Sequence, residues 1–164
     1  MRVLVLDTAL GLCTAAVFED GSAVTVRSEV MDKGHQERLG GLVQAVAGEA
    51  GGLDGVERIG VTVGPGSFTG LRVGLAFAQG LGTALGVPVV GISTLDALAV
   101  SAPAGAPIAA LIDARRGQVY TRLFGADGHP LSGPQALNLE DAHAAVVALG
   151  PAAVIGCDVR RRNS

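Results

Sequence analysis

Short apolar runs separated by turn residues open the chain. Residues 3–6 (VLVL) are continuously apolar, which is typical of a strand covered on both faces. Two segments rich in β-forming residues follow, 13–18 and 22–28, and the Asp-Gly turn within residues 19–21 separates them. The pattern therefore predicts three strands joined by short, antiparallel connections.

Helical spacing then alternates with further strands. The pattern predicts helix 34–50 ended by two glycines, strand 59–63, helix 71–86, a strand beginning at 87–90 and helix 94–100. Three antiparallel strands followed by this alternation describe the ribonuclease-H-like unit, which actin-like ATPases and sugar kinases contain twice. A Rossmann domain would alternate from its first strand. The predicted fold class is α/β, of the ribonuclease-H-like or actin–Hsp70–sugar kinase type.

The segment 102–107 (APAGAP) predicts a domain boundary, which divides the chain into lobes 1–101 and 102–164. The second lobe opens like the first, with strands predicted at 108–112 and 117–124, a hairpin turn at 126–128, a helix at 139–149 and apolar residues at 153–156. We expect it to be a partial unit of the same type, because helices that should cover its sheet are not predicted.

Composition narrows the function classes. The chain has 164 residues, is 49% apolar and contains only 3% aromatic residues, so its core is expected to consist of aliphatic side chains. A net charge of -3 indicates that this chain is not a protein that binds nucleic acid tightly by itself. The basic clusters, Arg115–Arg116 and the run 160–162, are typical of solvated surface.

Cellular location is constrained by the cysteines and by hydropathy. Cys13 and Cys157 have neither metal-type nor disulfide-type spacing, and each is expected to be a small buried hydrophobe. No apolar stretch reaches the ~18 residues of a membrane helix, and the acid at position 7 interrupts what would otherwise be a signal-like run. We expect a cytoplasmic protein that does not contact membranes.

The string GPGSFTG, residues 64–70, is the most distinctive turn. Its glycine spacing fits neither a dinucleotide fingerprint nor a phosphate-binding Walker loop. A tight strand-to-helix turn with Ser67 or Thr69 as helix N-cap remains, and an anion at the helix N-terminus stays open. Arg72 opposes the helix dipole there, which predicts a compensating carboxylate on this chain or on a partner.

The glycine-rich helix 71–86 is apolar nearly all round. Glycine destabilises a helix interior, so Gly74, Gly80 and Gly82 predict close packing, either within the fold or against a partner subunit. We predict that Leu71, Leu75, Ala78, Gly82 and Leu85 face the chain's own sheet. The predicted partner interface consists of Leu39, Leu42, Val43 and Val46 of the first helix with Arg72, Val73, Phe77, Gly80 and Ala84 of the long one.

Candidate catalytic residues are sparse. Asp7 ends the first strand, where ribonuclease-H-type nucleases place a metal-holding acid, but no acid ends the fourth strand. His35, His129 and His143 are dispersed, and no nucleophile elbow appears. We therefore predict no catalytic residue, no metal and no cofactor.

Four segments resemble the bacterial TsaB family: VLVLDTALGLCTAAVFEDG, GHQERLGGLV, residues 61–99 and IDARRGQVYTRLF. The similarity runs in order through residues 1–124 and is most specific in 64–98. The resemblance implies a cytoplasmic, two-lobed subunit that pairs with a catalytic paralogue, TsaD, and a small ATPase, TsaE. That complex forms N6-threonylcarbamoyladenosine at position 37 of tRNAs reading codons that begin with A.

The resemblance also implies that this chain is not the catalyst. The catalytic paralogue carries acids in its first hairpin loop, where this chain has Gly11 and Leu12, and a His-x-x-x-His pair at the stretch that corresponds to residues 91–98, which lack histidine. We expect a homodimer when the chain is alone, and tRNA contact only through the complex. Two alternatives remain, an ATP-dependent transferase or kinase of the actin-like fold and a glycoprotease-like peptidase.

Overall fold

Contacts divide the chain into two compact units, Met1–Ile92 and Ser93–Ser164. The computed structural model describes residues 1–31 and 34–156, with the side chain of His35 excepted. The predictions for Cys157 and for the arginine run 160–162 lie outside these residues.

The first unit follows the predicted order of elements. Its sheet has the strand order β3-β2-β1-β4-β5; β1 pairs antiparallel with β2 and parallel with β4, and β2 pairs antiparallel with β3. The elements are β1 (Arg2–Asp7), β2 (Leu12–Glu19), β3 (Ser22–Val30), α1 (His35–Glu49), β4 (Val56–Gly64), α2 (Phe68–Leu85) and β5 (Val89–Ser93).

Both helices of this unit cover one face of the sheet. Leu4 and Leu6 of β1 alternate with half-buried neighbours and are fully buried beneath the helices, as a sheet with one helix-covered face requires. Cys13 lies in the same core with no exposed surface, which confirms it as a buried hydrophobe. Burial raises the pKa of its thiol above the ordinary value.

Turn and cap residues explain where these elements begin and end. Asp20 (φ 49°) and Gly21 (φ 82°) form the tip of the β2–β3 hairpin in the left-handed region that Asp-Gly turns favour. Ser67 is the N-cap of α2, and its hydroxyl accepts a hydrogen bond from the Gly70 amide at 3.2 Å. Gly86 (φ 68°) ends the helix as a left-handed C-cap.

Glycine and alanine, rather than leucine, form the sheet-facing stripe of α2. Its buried residues are Gly70, Gly74, Ala78 and Gly82, and a Cβ atom on Gly82 would lie 2.6 Å from Val89 Cγ2. The prediction was right for Ala78 and Gly82 and wrong for Leu85, which is 38% exposed. Leu71 and Leu75 are half-buried, and Leu75 packs against the core. A helix lies closest to a sheet where its side chains are smallest, so the glycines determine the contact.

The second unit repeats part of the first. Its elements are α3 (Thr94–Val100), β6 (Ile108–Arg115), β7 (Gln118–Phe124), β8 (Gln135–Asn138), α4 (Leu139–Ala148) and β9 (Ala153–Gly156). The sheet order β8-β7-β6-β9 matches β3-β2-β1-β4 of the first sheet, including antiparallel β6–β7 and parallel β6–β9 pairs. The short strand β8 was not predicted, because its four residues have no apolar alternation.

Candidate functional site

The predicted interface residues of α1 lie in the core of their own unit. Leu39 and Val46 are 0% exposed, and Leu42 and Val43 are 6% and 5% exposed. Their stripe packs on the sheet, as the apolar face of an amphipathic helix ordinarily does. These four residues cannot contact a partner, and the prediction was wrong for them.

The outward face of α2 remains as a candidate contact surface. Arg72, Gly80 and Ala84 are exposed, whereas Val73 and Phe77 are half-buried and pack against the core. The Phe77 ring rests on α1, because a Cβ atom on Gly40 would lie 3.7 Å from its Cε2 atom. The α2 residues therefore differ in how much surface each offers.

Phe68, the first residue of α2, was missed by the sequence analysis. Its side chain is 74% exposed, an unusual state for a large aromatic residue. The Arg72 guanidinium lies over its ring, 5.3 Å from the centroid, one helical turn away. The signal that could have identified Phe68 is an aromatic side chain directly after Ser67, one of the two predicted N-cap residues.

A shallow groove of about 470 Å³ joins these residues. It runs along α2 at helical spacing and reaches the first turn of α1. Its lining is mainly apolar, with one guanidinium and one amide at the rim. The lining residues are Gln36, Phe68, Thr69, Arg72, Val73, Ala76 and Phe77.

No carboxylate pairs with Arg72 among the residues that the structure describes. In place of the predicted carboxylate, the Arg72 guanidinium contacts the aromatic ring of Phe68. An exposed cation–aromatic pair beside an apolar groove is the type of surface that protein interfaces favour, since arginine and aromatic residues are enriched there.

Asp7 stabilises the turn that follows β1. Its Oδ1 atom accepts a hydrogen bond from the Ala9 amide at 2.9 Å and another from the Thr62 hydroxyl at 2.8 Å. The Ser67 amide donates to the Ala9 carbonyl oxygen at 2.6 Å, so this turn also holds the start of α2. Asp7 thus has a structural role that does not require a metal.

Asp113 occupies the corresponding position in the second unit, at the end of β6. Its Oδ1 atom accepts a hydrogen bond from the Arg115 amide at 2.7 Å, two residues on, as Asp7 does with Ala9. The sequence analysis identified only Asp7 as such an acid. The signal it missed is the matching place of the two residues in the first hairpin of each unit.

The stretch 91–98 forms a strand end and a helix start. Ser93 is the N-cap of α3, and its hydroxyl accepts a hydrogen bond from the Asp96 amide at 3.3 Å. Asp96 in turn accepts from Arg122 Nη1 at 2.5 Å. In residues 1–31 and 34–156, no three His, Cys, Asp or Glu side chains are grouped as metal ligands.

Comparison with known proteins identifies the family. The model of the family described as "TsaD: tRNA N6-adenosine threonylcarbamoyltransferase" matches residues 25–152. The tRNA threonylcarbamoyladenosine biosynthesis protein TsaB of Escherichia coli is 37% identical over 124 residues, covering 73% of this chain and 53% of that protein. The chain belongs to the TsaB family. It spans about half the length of this curated relative.

Solved structures agree with the membership in the TsaB family. YeaZ from Pseudomonas aeruginosa superposes with a TM-score of 0.76 at 33% identity, covering 85% of this chain and 68% of that one. A ROK hexokinase from Thermus thermophilus superposes with a TM-score of 0.52 at 21% identity, covering 81% and 49% of the two chains. The hexokinase shares the fold alone, and it confirms the sugar kinase-like fold class predicted from the order of elements.

Within the part of the chain that the structure describes, no helix is long and apolar enough to cross a bilayer.

Proposed function

We propose that this chain is a non-catalytic partner subunit in the formation of N6-threonylcarbamoyladenosine at position 37 of tRNAs that read codons beginning with A. It acts in the cytoplasm, where tRNA is modified, and assembles with a TsaD-type catalytic paralogue and a TsaE-type ATPase. The role in this modification is supported by the membership in the TsaB family. The observation that carries the role as a partner subunit is the outward face of α2, with Phe68 exposed beside the groove.

The proposed contact surface contains both exposed and half-buried residues of α2. Phe68 would be the anchor, because fully desolvating an exposed aromatic ring contributes strongly to association. Gly80 and Ala84 would let a partner helix approach closely, since both positions are exposed and carry at most a methyl group. Val73 and Phe77 would form the floor of the contact.

The same face would pair two copies of the chain when the catalytic paralogue is absent. A large exposed apolar surface is seldom left uncovered in a soluble protein. A second copy of the chain and the paralogue would then compete for one surface, so adding the paralogue should dissociate the homodimer.

The test is the association state of a Phe68→Asp variant. Aspartate in the first turn of a helix is favourable to the helix dipole, so the fold should be retained. We expect the variant to be a monomer by light scattering and to fail to bind the catalytic paralogue in a pull-down. Val100→Asp is the matched control, since Val100 is 87% exposed and lies outside α2. Retained association of the Phe68 variant would contradict the proposed surface.

A second candidate, an ATP-dependent enzyme, is favoured by one observation. Asp7 and Asp113 stand at equivalent positions in the two units, where actin-like enzymes need an acid in each lobe. Isothermal titration with ATP and magnesium separates the candidates. A non-catalytic subunit should give no turnover, and heat of binding with ATP hydrolysis would favour the enzyme.

A further inference from the structure

The β6–β7 hairpin contains an unusual run of backbone conformations. Arg115 (φ 64°), Arg116 (φ 54°) and Gly117 (φ 76°) all occupy the left-handed region. The strand register pairs Arg115 with Gln118, so Arg116 and Gly117 form the two-residue tip. Arg115 lies at the register shift just before it.

Turn chemistry favours other residues at these two positions. A tip with two left-handed residues prefers Asn-Gly or Asp-Gly, because a side chain with a Cβ atom is strained there. The β2–β3 hairpin of the same chain follows this rule with Asp20 and Gly21. Gly117 suits the second tip position, but Arg116 at the first and Arg115 just before it are both in the left-handed region and destabilise the hairpin. This indicates that the two arginine side chains serve a purpose other than folding.

The surroundings leave both guanidinium groups available. Arg115 and Arg116 are exposed, and neither forms an ion pair with a residue that the structure describes. Asp113 is the acid nearest in sequence, and its Oδ1 atom is engaged by the Arg115 amide at 2.7 Å rather than by a side chain. The tip therefore presents two adjacent cations on a short, ordered hairpin.

We propose that Arg115 and Arg116 bind phosphate groups of the tRNA backbone. The proposal rests on the proposed function in tRNA modification. Guanidinium groups bind phosphate oxygens through paired, charge-assisted hydrogen bonds, and two adjacent arginines match consecutive phosphates. Because the chain carries a net charge of -3, the tip would supply a local contact within a larger RNA-binding surface and not the whole of it.

The test measures tRNA binding by the full chain assembled with the TsaD-type paralogue, in a fluorescence anisotropy titration over a series of salt concentrations. In an Arg115→Gln, Arg116→Gln variant, we expect weaker binding and a salt slope on the log–log plot that is shallower by about 0.7–0.9 per arginine. Arg58→Gln is the control, since Arg58 is an exposed arginine in the first unit. Each single variant at the tip should weaken binding more than this control does.

A second measurement separates function from structure. Arg115→Gly and Arg116→Asn restore favoured turn residues, so each should raise the Tm by a few degrees while weakening tRNA binding. A structural role for the side chains predicts a lower Tm instead.

Three outcomes would overturn the proposal: an unchanged affinity and salt slope, an equal loss in the Arg58 control, or a lower Tm in the turn-restoring variants. Competition with ATP distinguishes tRNA phosphates from nucleotide phosphates as the ligand of the tip. Full displacement of tRNA by ATP would indicate that the tip binds a nucleotide, and this result would also overturn the proposal. Association with the catalytic paralogue should persist in the Arg115→Gln, Arg116→Gln variant. Failure of the tip is thus distinguishable from failure of the proposed function.

Discussion

The Thr8 hydroxyl donates a hydrogen bond to the Gly70 carbonyl oxygen at 2.8 Å, which joins the end of β1 to the first turn of α2. Thr8 is 0% exposed, and a Cβ atom on Gly70 would overlap its carbonyl oxygen. At this end of α2, the close approach of the helix to the sheet therefore requires the absence of a side chain at Gly70. The same contact positions Phe68, two residues before Gly70, on the opposite side of the helix start.

Gly70→Ala should destabilise the fold. The added methyl group meets the backbone of Thr8 directly after β1, which cannot move without disturbing the sheet. We therefore expect a loss of about 2–4 kcal/mol in the free energy of unfolding. Gly48→Ala in α1 is the control, because a Cβ atom there meets nothing within 4 Å. Urea denaturation of both variants measures the difference. Equal stability of the two would contradict the close approach.

Arg2 should contribute to stability through the end of α1. Its guanidinium donates to the carbonyl oxygens of Ala50 (2.5 Å), Gly52 (3.0 Å) and Asp54 (3.0 Å), which follow the last turn of the helix. Arg2→Met removes these bonds and should cost about 1.5–3 kcal/mol, the usual value for hydrogen bonds to a charged group. Arg2→Lys should restore only part of it, since one ammonium group cannot span three carbonyl groups. Chemical denaturation measures the free energy of unfolding, which should decrease from the parent protein to Arg2→Lys and then to Arg2→Met.

Two glutamates predict how stability depends on pH. The hydrogen bond from Thr25 and the ion pair with Arg27 lower the pKa of Glu49, and Arg38 lowers the pKa of Glu29. Because both groups bind protons less readily when folded, their contribution is present above their ordinary pKa of 4.5 and is lost as the pH falls through the folded values. Thermal unfolding between pH 7 and pH 3 should show this loss.

The matched variant for that experiment is Glu49→Gln. It should show a smaller decrease in Tm on acidification than the parent protein, because the group that titrates has been removed. High salt should reduce the difference between the two proteins, since these glutamates lie at the surface. An unchanged acid dependence would show that Glu49 is not coupled to folding.

Most of the fold could be predicted from periodicity, because apolar runs and turn residues identify strands and helices locally. Apart from the unpredicted strand β8, the failures concern which surface a residue faces. The stripe through Leu39 and Val46 was assigned to a partner, yet a helix first covers its own sheet. In α2 the leucines were assigned to the sheet, whereas the glycines approach it most closely. Hydrophobicity alone does not predict how near two elements lie.

The candidate site was only partly predictable for the same reason. Arg72, Gly80 and Ala84 were identified because their spacing places them on one face of a helix, and all three are exposed. Phe68 was missed because the helix was predicted to begin at residue 71, which left Phe68 in the turn, whereas α2 begins at Phe68.

Gly80→Gln should separate stability from association. The position is exposed, and a Cβ atom there meets nothing within 4 Å, so the new side chain has room within its own chain. Replacing glycine in a helix interior should stabilise the monomer by about 0.5–1 kcal/mol. The same side chain would hold a partner helix away from α2. Urea denaturation should therefore show a more stable protein, and sedimentation velocity should show that it no longer dimerises. A variant that is stabilised and still dimerises would place the contact elsewhere on the molecule.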